Sequence, residues 1–191
     1  MSLLRRGSRT GSRPVSEAPD FLSALEGWRL WLAAADRSGV LRLTSMTHPI
    51  VWPVGEPVVA TCVRRRSLFR SRPAEHPDLP APVASCRCGI YAIDDPRMLT
   101  GFVDKNQGGS RYRNWVVGRV SVWGSVVESD RGWRASRAYP THLYVPTLGR
   151  NRRAAEISEA LSNYGVPIEL LDVPMTPRLL KSLHALETAA A

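Results

Sequence analysis

Up to about residue 145 the apolar positions fall in short runs rich in aromatic, aliphatic and β-branched residues, separated by turn-forming and polar stretches, and after residue 150 they change to a helical spacing. Gly27–Leu32 and Val40–Thr44 are both rich in aromatic and aliphatic residues, and the turn-forming Asp36-Arg37-Ser38-Gly39 between them predicts a β-hairpin. The prolines and glycine of Trp52–Pro57 force a bend into the β-branched run Val58–Val63, read as a strand. Cys86–Ala92 reads as another short strand. Asp94-Asp95-Pro96 then supplies an N-cap and a first-turn proline for a short helix over about 95–101. The strongest strand signal is Trp115–Val127, whose glycines at 118 and 124 predict bends or bulges. Asp130-Arg131-Gly132 turns the chain into Trp133–Tyr139, giving a second hairpin that ends at Pro140, with a short segment His142–Val145 beyond it.

After residue 150 the rhythm is helical, with Ala154, Ile157, Leu161 and Tyr164 on one stripe and Gly165 as the stop. Val166–Leu171 reads as a strand confined to an edge by Pro167. Thr176-Pro177 opens a last helix carrying Leu179, Leu180, Leu183 and Leu186. The expected fold class is α+β. Residues 1–20, rich in Ser, Gly, Arg and Pro, form a disordered basic tail, and 21–191 form a single globular domain. Within it, 27–145 is a β-rich body of two hairpins and bent strands, compatible with a small barrel. An Arg/Pro-rich loop over 64–85 interrupts the body, and 150–191 is a helix–strand–helix appendage with the C-terminal helical elements.

Charge adds one distinction. Lys+Arg number 26 against 17 Asp+Glu, a formal charge of +9. Arg5, Arg6, Arg9 and Arg13 in the tail, with Arg64, Arg65, Arg66, Arg70 and Arg72 in the loop, account for all of that excess. The remainder is balanced, which argues against a uniformly basic, histone-like binder and leaves local anion contacts. No apolar run reaches the roughly 20 residues that span a bilayer, so no membrane partner is expected. Three cysteines are too few for a disulfide scaffold, and a cytoplasmic location is expected.

The cysteines matter more for their spacing. Cys62, His76, Cys86 and Cys88 follow C-x13-H-x9-C-x-C. Residues two apart on a strand point to the same side, so Cys86 and Cys88 can present both sulfurs to one point. Cys3His is an accepted structural zinc set, and such a site would pin the base of the Arg/Pro loop. Two other readings stand beside it. The cysteines can be small buried hydrophobes with His76 a loop residue, or Cys86 or Cys88 beside Arg87 and His76 can be an activated thiolate.

The ordered series Trp52-Pro53…Gly55, Cys62, His76, Cys86-x-Cys88-Gly89-Ile90-Tyr91-Ala92, Trp123-Gly124, Gly132-Trp133-Arg134-Ala135 and Tyr139-Pro140 resembles a family of small uncharacterised proteins from actinobacteria and their phages. The similarity covers about residues 27–145. It implies a shared fold and a cytoplasmic origin, with no established activity, and it favours a purposeful Cys/His set.

No P-loop, G-x-S-x-G, H-E-x-x-H or dinucleotide fingerprint is present. Asp94-Asp95 reads as a helix start rather than a catalytic dyad. His142, Tyr139 and Arg134 can line a cleft at the end of the second hairpin, or Arg134 can simply face solvent. Arginines interleave with aromatics at Arg64–Arg72 around Phe69 and at Arg111-Tyr112-Arg113, with a further basic cluster at Arg150, Arg152 and Arg153. Interleaving of this kind suits stacked bases and bound phosphates. The leading expectation is a zinc-stabilised β-rich module contacting RNA or DNA through Arg64, Arg65, Arg66, Arg70, Arg72, Arg111 and Arg113. The alternatives are a protein-interaction or assembly module with a protein partner, and an enzyme of unrecognised type.

Overall fold

The computed structural model describes residues 21–47, 50–62, 76, 79–105, 114–147 and 152–190. Both expected hairpins are present, and they supply the frame. Strand β1 (Phe21–Ala35) pairs antiparallel with β2 (Leu41–Ser45), and β5 (Trp115–Ser129) pairs antiparallel with β6 (Gly132–Pro146). The first turn is fixed by Asp36, whose carboxylate accepts from the backbone N–H of Ser38 and Val40. β1 also pairs with β5, so the two hairpins lie side by side in one sheet.

The far edge of β6 is divided among three short strands. β4 (Ile90–Ala92) pairs with its start, β3 (Val58–Val59) with its middle, and β7 (Ile168–Leu171) runs parallel to its end. The result is a mixed seven-stranded sheet. It does not close into a small barrel. Ile93, just past β4, reaches back to Trp28 of β1 through reciprocal backbone hydrogen bonds, and this is an isolated bridge, not a ladder.

Pro140 does not end the second hairpin. Arg119 faces His142 while Val120 faces Pro140, so Thr141 is the extra residue of a bulge. A bulge relaxes the ladder where a residue without an N–H must sit, and the strand runs on to Pro146. A second bulge falls at Gly124-Ser125, where Gly124 has φ +78 and the Ser136 hydroxyl accepts from Ser125 N–H. The short helix expected near 95–101 is a 3-10 turn over Pro96–Leu99 running into α1 (Thr100–Lys105), with Asp95 as its N-cap.

Alternation along the strands sends apolar residues to both faces. Trp31, Leu43, Val116, Val120, Val122, Leu143 and Val145 pack with Trp52 beneath α2 (Arg152–Leu161), which contributes Ala154, Ile157 and Leu161. Trp28, Leu30, Trp115 and Val117 pack on the other face with Val103 of α1 and Leu179, Leu180 and Leu183 of α3 (Pro177–Ala190). The β-rich body is thus sandwiched between helices from the C-terminal part of the chain and one short central helix.

Tyr164, just after α2, fastens the outer edge of β2. Trp52 N–H donates to Leu43 O at 2.8 Å, the first of the two bonds an antiparallel pair exchanges. The second is bridged by the Tyr164 hydroxyl, which accepts from Leu43 N–H at 3.1 Å and donates to Trp52 O at 2.7 Å. Among the described residues no helix is long and apolar enough to cross a membrane.

Candidate metal centre

Two of the short strands on β6 place the cysteines. β3 pairs at Arg137 and Ala138, and Ala60 N–H extends that contact to Ser136 O at 2.8 Å, so Cys62 leaves the sheet edge close to β4. Cys86 and Cys88 precede β4, which pairs with Trp133–Ala135 of β6. They are not on a strand. The expected strand over 86–92 covers only Ile90–Ala92, and the expected strand through Cys62 covers only Val58–Val59. The convergence of Cys86 and Cys88 comes from a turn, closed by Cys86 N–H to Val83 O at 3.0 Å, which folds the chain before β4.

The cluster itself assembles as the spacing implied. Cys62 Sγ lies 3.9 Å from Cys86 Sγ, and His76 Nε2 lies 3.1 Å from Cys88 Sγ. The four possible ligand atoms all lie within 4.8 Å of one another. A tetrahedron with metal–sulfur bonds of about 2.3 Å has edges of about 3.8 Å, so one ion position can serve all four after small movements. The cysteines are half-buried thiols outside any disulfide, and His76 is buried. His76 Nδ1 sits 3.4 Å from Leu79 O. A proton on Nδ1 directed at that carbonyl leaves the Nε2 lone pair facing the sulfurs, which is how metal-bound histidines are oriented. Val83 N–H donates to Cys88 Sγ at 3.4 Å. The donor set is soft, with three sulfurs and one imidazole nitrogen and no carboxylate, which suits a thiolate-preferring metal.

Arg134 neither lines a cleft with Tyr139 and His142 nor faces solvent. Its side chain is buried, and its guanidinium donates to the carbonyls of Cys86 and Cys88, with longer contacts to Val83 and Ala84. It therefore grips the turn that carries two of the four candidate ligands. Local sequence gives no sign of this, because a charged residue alternating with apolar ones on a strand has the pattern of a solvent-facing position.

The other expected groupings resolve differently. Tyr139 and His142 do not converge. The Tyr139 hydroxyl donates to Tyr164 O and accepts from Gly55 N–H, its ring lying against Tyr164. His142 stacks on Tyr144, which packs with the opposite core, and its Nε2 lies 2.7 Å from a Glu169 carboxylate oxygen. Asp95 caps the 3-10 turn, accepting from Arg97 N–H and pairing with the Arg97 guanidinium. Arg152 and Arg153 both reach Glu156 within α2. Arg64, Arg65, Arg66, Arg70, Arg72, Arg111, Arg113 and Arg150 lie outside the described residues. No family model matches this chain, and neither a curated protein nor a solved structure does.

Proposed function

We propose that this protein is a zinc-stabilised β-rich module that contacts nucleic acid through the arginine-rich segment between Cys62 and Cys86. The observation that carries the metal part is the meeting of one imidazole and three thiols from three separate stretches of chain, all within 4.8 Å. Zinc fits a soft, four-donor, redox-silent structural role better than metals that prefer oxygen ligands or more open coordination. The nucleic-acid part is supported by Arg64, Arg65, Arg66, Arg70 and Arg72 bracketing Phe69 in the segment whose ends meet at that cluster. An ion joining Cys62 to Cys86 closes this segment into a loop, which lowers the entropy lost when five guanidinium groups settle on a phosphate backbone.

Two measurements test it. Protein purified without chelator is expected to hold about one zinc per chain, and stripping it is expected to lower the thermal midpoint. Less than about 0.2 equivalents, with no effect of chelator, overturns the metal part. For binding, wild type is compared with Arg64→Ala/Arg65→Ala/Arg66→Ala against single- and double-stranded nucleic acid over a range of salt. The variant is expected to bind more weakly, with the duplex salt slope reduced by roughly 2–3. Unchanged affinity, or a flat salt response in wild type, removes the loop from the mechanism.

A further inference from the structure

Arg134 presents a charge problem that the fold alone does not solve. It lies on β6 opposite Tyr91 of β4, is only 9% exposed, and has its guanidinium 5.9 Å from the Tyr91 ring. Every hydrogen bond it makes among the described residues goes to a backbone carbonyl: Cys88 at 2.8 Å, Cys86, and Val83 and Ala84 at 3.5 Å. No carboxylate pairs with it among the described residues. Carbonyl oxygens accept from its two terminal nitrogens, but among the described residues no anionic side chain offsets the positive charge, and burying such a charge is costly. Two of the carbonyls it holds belong to Cys86 and Cys88, whose sulfurs are members of the Cys/His cluster and carry negative charge as thiolates.

We infer that Arg134 is the counter-charge and positioning residue of a thiolate centre built for a divalent ion. This rests on the metal reading above and adds the charge class of the ion and the residue that sets it. Three thiolates and a neutral imidazole around a +2 ion carry a net charge of −1, which one guanidinium neutralises. A monovalent ion leaves −2 beside Arg134, and a trivalent ion leaves a neutral centre beside an unpaired cation. Only the divalent case balances. The same fork fixes the main chain at Cys86 and at Cys88, so one side chain sets both the charge and the spacing of two sulfurs. Metal ligands commonly depend on outer partners of this kind.

Arg134→Gln and Arg134→Lys separate charge from hydrogen bonding. Glutamine keeps donors for the carbonyls and loses the charge, whereas lysine keeps the charge and loses the planar fork. Wild type is titrated first with zinc against a competing chromogenic chelator, and with cobalt(II) followed by its thiolate absorption. Arg134→Gln is then expected to bind zinc about 10–100-fold more weakly, and Arg134→Lys to stay within about tenfold of wild type. Thermal midpoints supply a readout that a simple clamp would not give. Arg134→Gln is expected to lower the midpoint of metal-loaded protein and to leave that of metal-stripped protein unchanged or higher, because an unpaired buried cation has been removed.

Equal losses of affinity in the two variants, or equal falls in the loaded and stripped midpoints, overturn the counter-charge and leave only a clamp. Failure of both variants to fold even with metal also overturns it, since Arg134 is then required by the sheet itself. Absence of divalent binding by wild type defeats the metal reading, and this assignment with it. That outcome is distinguishable because it precedes any variant.

Discussion

Tyr164→Phe removes one oxygen and tests the way the sheet edge is held. The ring stays in place, packed beside Ile157 and Leu161 in the same core, so little apolar burial is lost. What disappears is the hydroxyl that links Leu43 N–H to Trp52 O, where Tyr164 is 3% exposed and water has little access. A buried backbone group left without a partner costs about 1–3 kcal/mol, and two are left here, so the expected loss is about 2–6 kcal/mol. In a domain of this size that corresponds to a fall of roughly 4–24 °C in the thermal midpoint. Urea denaturation is the cleaner assay, since the midpoint should fall with its slope unchanged. A loss below about 0.5 kcal/mol refutes the reasoning. It would mean that Leu43 and Trp52 close their second ladder bond directly once the hydroxyl is gone. Burial also raises the Tyr164 ionisation above its ordinary value. Its contribution to stability is therefore complete below about pH 10 and is lost as the pH rises through the higher folded value. The phenylalanine variant should lack that part of the alkaline decline.

Three further outcomes are expected. Asp95→Ala removes an N-cap and should cost about 1 kcal/mol in denaturant titration. Because hydrogen bonds from Arg97 hold the Asp95 carboxyl below its usual range, its contribution is present near neutrality and lost as the pH falls through that depressed value, so the variant should lose less on acidification than wild type. Gly132→Ala places a methyl 2.3 Å from Ala92 O at a residue with φ +114, and the β5–β6 turn and β4 should both be disturbed, with a loss above about 2 kcal/mol by urea denaturation. Cys88→Ser should reduce the zinc content of purified protein to below about half an equivalent and abolish the effect of chelator on the thermal midpoint; full zinc content would exclude Cys88 as a ligand.

Local sequence revealed the elements whose signals are local. Asp36–Gly39 and Asp130–Gly132 mark their turns by chemistry that acts within four residues, and both hairpins form there. The stripes at Ala154–Leu161 and Leu179–Leu183 mark two helices, but nothing in their periodicity assigns them to opposite faces of the sheet. Pro140 has the local signature of a strand stop because proline lacks a donor, and the bulge at Thr141 removes that objection only in three dimensions. The gathering of the Cys/His set was legible from residue type and spacing, and the four candidate ligand atoms do converge. The strand geometry expected to unite Cys86 and Cys88 was not the means, because a turn closed at Val83 does it. Arg134 was illegible, as its role depends on carbonyls about 50 residues earlier in the chain.

The sharing of one edge of β6 by β4, β3 and β7 has a consequence for the order in which the molecule assembles. β5 and β6 meet across a two-residue turn, whereas Val58 must find Ala138 from about 80 residues away. The long hairpin is thus the cheap nucleus, and the three short strands are late arrivals that each need β6 as an existing template. β3 and β4 are too brief to hold that template for long by their own ladders, having only two and three register pairs. A metal bound between Cys62 and Cys86 would act at this stage as a latch, converting two weak, separate dockings into one cooperative event.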